Sequence, residues 1–154
     1  MKSRHLYFMN HARVTATASS CTYFQVGSVI VKNDRIISHG YNGTPKGFPE
    51  DCPDYFCGDP AQREEHHKFS ERTTIHSEMN ALLWAARTGI SVENASLYVT
   101  LEPCHNCVKA CVAAGIIHII YDEPYDKYLP YSQEFCQKSG VELISLEELL
   151  KKEA

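Results

Sequence analysis

A chain of 154 residues with 15 Lys and Arg against 19 Asp and Glu has a net charge of −4, which argues against a nucleic-acid partner, since binding such chains rests on many basic contacts to phosphate. Its composition, 44% hydrophobic and 22% charged, is that of a soluble globular protein, and residues 1–154 read as a single domain. The opening residues lead into no long apolar run, so neither a secretory signal nor a membrane span is expected, and seven cysteines, an odd count without an export signal, suit metal binding in a reducing cytoplasm better than a disulfide framework.

Residues 2 to about 18 place Leu6, Met9, Val14 and several alanines at near-helical spacing, which predicts a first helix. Gln25 to Lys32 alternates and is rich in Val and Ile, Asn33-Asp34 is a turn signal, and Arg35 to Tyr41 is a second strand, so the three make a hairpin. The next ten residues, from Gly40 to Pro49, hold three glycines and two prolines and form a loop. Its backbone N–H groups and Lys46 suit a phosphate cradle, and a plain connection is the alternative.

Residues 51–67 form a polar insertion that carries Cys52, Cys57, His66 and His67. With Cys21 ahead of the hairpin, these are the residue types of a second, structural zinc site, four of the five binding, in a segment too polar to make its own core. A solvated loop with free thiols, or a Cys52–Cys57 disulfide, are the competing readings.

Arg72 to Ile75 reads as a strand end or loop. An amphipathic helix then runs through Met79 to Arg87, with Gly89 as its C-cap. Ser96 to Thr100 is a strand that delivers the chain to Pro103 and a helix ending at Gly115, Ile116 to Tyr121 is a strand, and Tyr121 to Lys127 is a polar aromatic loop of the kind that carries ligand contacts at strand ends. A helix from about Leu129 to Ser139, a short strand at Glu142 to Ser145 and a charged helix from Leu146 complete the chain. Strands alternating with helices predict an α/β fold with a partly parallel sheet covered on its faces.

The chemistry concentrates in His76-Ser77-Glu78 and Pro103-Cys104-His105-Asn106-Cys107, each opening a predicted helix. A catalytic zinc takes three nitrogen or thiolate ligands and leaves one position for water, and His76, Cys104 and Cys107 are such a set. The exposed N–H groups at a helix start favour thiolates. Glu78, two residues past the histidine, is placed to face the water as general acid and base without ligating.

These two pieces, His-x-Glu then Pro-Cys-x-x-Cys, are similar to the signature of zinc nucleobase deaminases. From about Cys21 to Lys127 the chain further resembles the deoxycytidylate (dCMP) deaminases, on the segments Gly40-Tyr41-Asn42-Gly43-Thr44-Pro45-Lys46-Gly47, His76 to Ala81, and Tyr121 to Lys127. The resemblance implies a cytidine-deaminase-like three-layer α/β/α fold with a mixed five-stranded sheet. It also implies hydrolysis of dCMP to dUMP, activation by dCTP, inhibition by dTTP, Mg²⁺ on the effector triphosphate, and a homo-hexamer. By position it places Asn42, Asn80 and Tyr125 at the substrate and Gly43, Lys46 and Gly47 at the effector. Trp84 and Arg87 would link effector to active site or serve as packing residues. A tRNA deaminase of the same superfamily and a non-enzymatic zinc module are the alternatives.

Overall fold

Asn33 and Asp34 both take positive φ, 52° and 60°, the pair of left-handed residues that a two-residue hairpin turn needs. They join β1 (Gly27–Lys32) to β2 (Arg35–Tyr41) as an antiparallel pair with a register irregularity between Ile30 and Val31. In this computed structural model, which describes residues 3–53, 59–125 and 130–154, the hairpin forms one side of a five-stranded sheet ordered β2-β1-β3-β4-β5. β3 (Ser96–Leu101) runs antiparallel to β1, whereas β4 (His118–Glu123) and β5 (Glu142–Ser145) follow it in parallel. The sheet is therefore mixed, as expected.

Successive strand residues point to opposite faces, and here both faces are covered. Ile30, Leu97, Val99, Ile119 and Leu143 face one layer with Ala81 and Leu82 of α3 (Ser77–Thr88), Val108 and Cys111 of α4 (His105–Ala113) and Cys136 of α5 (Tyr131–Ser139). Val29, Val31, Tyr98, Ile120 and Ile144 face the other, against Phe8, Met9 and Ala12 of α1 (Arg4–Ala16) and Leu146 of α6 (Leu146–Glu153). This is the predicted α/β/α sandwich. Gly89 and Gly140 end α3 and α5 in the left-handed conformation, φ 73° and 72°. Among the described residues no helix is long and apolar enough to cross a membrane.

The structure differs from the sequence reading in three places. The second half of the polar insertion is helical: α2 (Pro60–Thr73) begins at Asp59, whose side chain accepts a hydrogen bond from the Ala61 N–H, and takes in the first two residues of the stretch read as a strand end or loop. Helix formation there follows from the Asp cap and the proline in the first turn, although the helix carries no apolar stripe. Ile75, beyond it, pairs with Gly43 in an isolated bridge. The fourth strand starts at His118 rather than Ile116, because the Ile116 N–H closes the end of α4 on the Cys111 carbonyl and the Ile117 N–H bonds Ala95.

β2 lies so close to α3 that a Cβ on Gly40 would stand 2.6 Å from the Ala81 nitrogen and closer still to the Ser77 carbonyl. Glycine at 40 thus lets the strand seat the first turn of α3, where the predicted catalytic residues lie.

On the opposite face Tyr98 is buried, with its hydroxyl 2.8 Å from His5 Nδ1. Burial, aided by Asp34 and Glu153, pushes its phenol up to about 12. The folded state therefore favours the neutral phenol, so this contribution is complete below the unfolded value near ~10 and is lost as pH rises through the folded one. Urea unfolding of wild type and Tyr98→Phe should show the wild type losing about 1 kcal/mol more than the variant between pH 9 and 11. Parallel losses in the two proteins would remove Tyr98 as the cause.

Candidate active site

Two helix N-termini converge on one point. His76 is the N-cap residue of α3 and Cys104 that of α4, with Cys107 in the first turn of α4. His76 Nδ1 stands 3.5 Å from Cys104 Sγ and 3.4 Å from Cys107 Sγ, and the three ligand atoms lie within 4.8 Å of one another. Tetrahedral zinc, with sulfur at ~2.3 Å and nitrogen at ~2.0 Å, separates such atoms by roughly 3.5 Å, so the donor set fits that ion in both chemistry and spacing.

The cluster also favours a thiolate. Hydrogen bonding from Cys107, with help from His76, pulls the Cys104 thiol down to about 4, whereas the bond to Cys104, burial and the nearby Glu78 carboxylate push Cys107 up. Its bond to Cys104 raises the His76 imidazole. One sulfur thus carries the charge that a cation would meet. Glu78, in the first turn of α3, is 3% exposed, and its Oε1 accepts a hydrogen bond from the buried Ser77 hydroxyl.

A cavity of about 400 Å³, a size that suits a small-molecule ligand, opens over this cluster. His76, Glu78, Pro103 and Cys104 line one side. α2 lines it too, through His66, His67, Ser70 and Glu71, with Thr74 just beyond the helix. Phe24, Val26, Asn42 and Tyr125 line it as well, and the Phe24 and Tyr125 rings meet nearly edge-on, 6.3 Å apart at 87°.

A second group borders the same cavity. Cys21 Sγ and Cys52 Sγ each lie 3.4 Å from His66 Nε2, again the separation tetrahedral zinc requires. Burial, followed by His67, lowers the His66 imidazole below its ordinary value and so favours the neutral, ligating form. His67 is exposed on the cavity side and does not join this group, because neighbouring helical residues point in different directions. Cys57, and with it the predicted Cys52–Cys57 alternative, lies outside the described residues.

The remaining predicted residues divide. Asn42 is buried and lines the cavity, but its side chain accepts from the Val26 N–H at 2.9 Å and donates to the Phe24 carbonyl at 2.7 Å, so its amide shapes the wall. Asn80 does not line the cavity among the described residues. Its amide donates to the Tyr41 and Ile75 carbonyls at 2.6 and 3.3 Å, tying α3 to the loop instead. Gly43 bridges to Ile75, beside His76 in sequence, while Lys46 and Gly47 (φ 92°) are exposed. Trp84 and Arg87 lie exposed on α3, away from the cavity, and Trp84 is not a core packing residue.

The sequence reading missed Phe24, Ser77, Glu102 and the α2 wall. For Glu102 a signal was present, a carboxylate directly before the Pro-Cys pair at the end of an apolar strand.

Residues 2–123 match the cytidine and deoxycytidylate deaminase zinc-binding region. The chain belongs to this family. Among its relatives is the deoxycytidylate deaminase of Enterobacteria phage T2, 34% identical over 90% of this chain and 89% of the relative. ComE operon protein 2 of Bacillus subtilis is 36% identical over 94% of this chain and 72% of its own length. The dCMP deaminase of cyanophage S-TIM5, solved in complex with dCMP and dUMP, superposes with a TM-score of 0.76 at 30% identity, covering 95% of this chain and 99% of that one. The family's zinc-binding region includes both halves of the ligand cluster, His76 and the Cys104-Cys107 pair.

Proposed function

We propose that the chain hydrolyses dCMP to dUMP and ammonia, with zinc held by His76, Cys104 and Cys107. The observation that carries this reading is a buried carboxylate, Glu78, beside a zinc-spaced His/Cys/Cys cluster at one side of a cavity of nucleotide size. The likeness to deaminases of dCMP over nearly the whole chain supports the choice of substrate.

Zinc at this site supplies Lewis acidity that brings the pKa of water down to ~7. The remaining work belongs to the protein. Glu78 accepts the proton of the water that adds to C4 of cytosine and delivers it to N3, then takes the proton of the new C4 hydroxyl and passes it to the departing amine, acting as base and acid in turn. Ser77 holds that carboxylate in place by donating to it. Phe24 and Tyr125 give the nucleotide an aromatic wall, and Asn42 fixes the backbone of Phe24.

The same reading includes a structural zinc at Cys21, Cys52 and His66 with a further ligand. It also includes regulation, with dCTP and Mg²⁺ activating and dTTP inhibiting a homo-hexamer through the Gly43 to Gly47 loop. The Gly43–Ile75 bridge supports that route, since it places the loop one residue from His76 in sequence. Trp84 and Arg87, on the exposed face of the helix that begins at the metal cluster, are the proposed relay.

The test follows the ultraviolet loss of the cytosine chromophore with dCMP, deoxycytidine and CMP, each alone and with dCTP or dTTP plus Mg²⁺. Turnover of dCMP supports the assignment, and a response to the triphosphates supports the regulatory part. Inactivity of the folded, zinc-loaded protein on all three substrates would overturn it and direct the search to tRNA or to a non-catalytic zinc role.

A further inference from the structure

We propose that Glu102 is a positioning residue that locks the aromatic wall of the cavity to the turn carrying Cys104 and Cys107. The inference deepens the dCMP deaminase reading and rests on it for its kinetic part. Glu102 lies between the end of β3 and Pro103, two residues before Cys104, and is 2% exposed. A carboxylate so buried is retained against a desolvation cost of several kcal/mol only where hydrogen bonds compensate it.

Two of its bonds run to one place. Glu102 Oε2 accepts the backbone N–H of Tyr125 at 2.8 Å. Its own backbone N–H donates to the Glu123 carbonyl at 2.8 Å, extending the parallel pairing that brings Leu101 opposite Glu123. The chain leaving β4 is thus held twice within three residues, once by main chain and once by the carboxylate. Without the second bond the sheet would still form, and the Tyr125 amide would lose a buried partner.

Tyr125 needs a fixed position. Its ring meets Phe24 across the cavity lining, and Phe24 is itself anchored at both backbone groups, its N–H to Cys21 Sγ at 3.3 Å and its carbonyl to Asn42. Each half of the wall therefore has a buried polar anchor. Glu102 joins its half directly to the metal-binding turn, which sets the distance between the wall and the reacting carbon. The wall contacts the nucleotide away from the bond that breaks, so loosening it weakens binding more than it slows the chemical step.

The experiment uses the zinc-loaded full chain with Glu102 replaced by Gln, Asp and Ala. Glutamine keeps an oxygen at the same reach and should regain most of the wild-type KM for dCMP. Aspartate keeps the charge but falls short of Tyr125, and both it and alanine should raise KM about 10- to 100-fold with kcat within about threefold and zinc content intact. Hydrogen exchange at the Tyr125 amide, measured without substrate, should accelerate in Asp and Ala but not in Gln. Should alanine fail to fold, the Gln and Asp pair carries the test. Loss of zinc, equal falls in kcat and kcat/KM at unchanged KM, or glutamine behaving like aspartate would overturn the proposal. Because the exchange readout needs no turnover, a wild type inactive on dCMP would retire the substrate assignment while leaving the anchor itself testable.

Discussion

Glu78→Gln should keep its zinc and lose about 10³-fold of its turnover of dCMP, within the range expected for removing a general acid and base. The substitution is nearly isosteric, and the amide retains an oxygen to accept from Ser77, so the first turn of α3 keeps its geometry. What disappears is the capacity to take a proton and return it. Glu78 is 3% exposed, so bulk buffer cannot readily substitute for it. Zinc content by atomic absorption and kcat by the ultraviolet assay are read on the same preparation. A zinc-replete variant turning over within tenfold of wild type would remove Glu78 from the reaction.

Cys104→Ala should behave differently, giving up one zinc per chain and, with it, all measurable deamination. Three protein ligands hold the ion in a catalytic site, and deleting one leaves a two-ligand site at which the metal exchanges with solvent. The fold survives this change, because Cys104 is only partly buried and caps α4 without a side-chain hydrogen bond to its backbone. Metal stoichiometry against wild type is the decisive number, with circular dichroism to establish that the chain remains folded. A second zinc at Cys21, Cys52 and His66 would remain, so the count drops by one whatever its total. Full retention of zinc in a folded variant would dismiss Cys104 as a ligand.

The catalytic cluster was legible in the sequence because each half fits within one helical turn: His76 is two residues from Glu78, and Cys104 three from Cys107. The hairpin was legible for the same local reason, through Asn33-Asp34. α2 was not, since its residues are polar on every side and hydrophobic periodicity, the strongest helix signal, is absent. The Asp59-Pro60 start was a signal passed over. Glu102 and Phe24 belong to the cavity only because β3, β4 and the loop after α1 meet in space, an arrangement that no short spacing encodes. Asn80 was placed at the substrate by resemblance, and the structure adds what no resemblance carried, that its amide donates to two backbone carbonyls.

α2 has a single buried side chain, His66, and that residue meets Cys21 and Cys52. An element so poorly supplied with apolar contact draws little of its stability from the core. The cavity therefore has walls of unequal permanence. One is built from strands and helices buried on two faces, and the other has His66 as its one buried side chain. The residues placed nearest the chemistry, His76, Glu78, Cys104 and Cys107, all belong to the first of these walls or to the helix starts behind it.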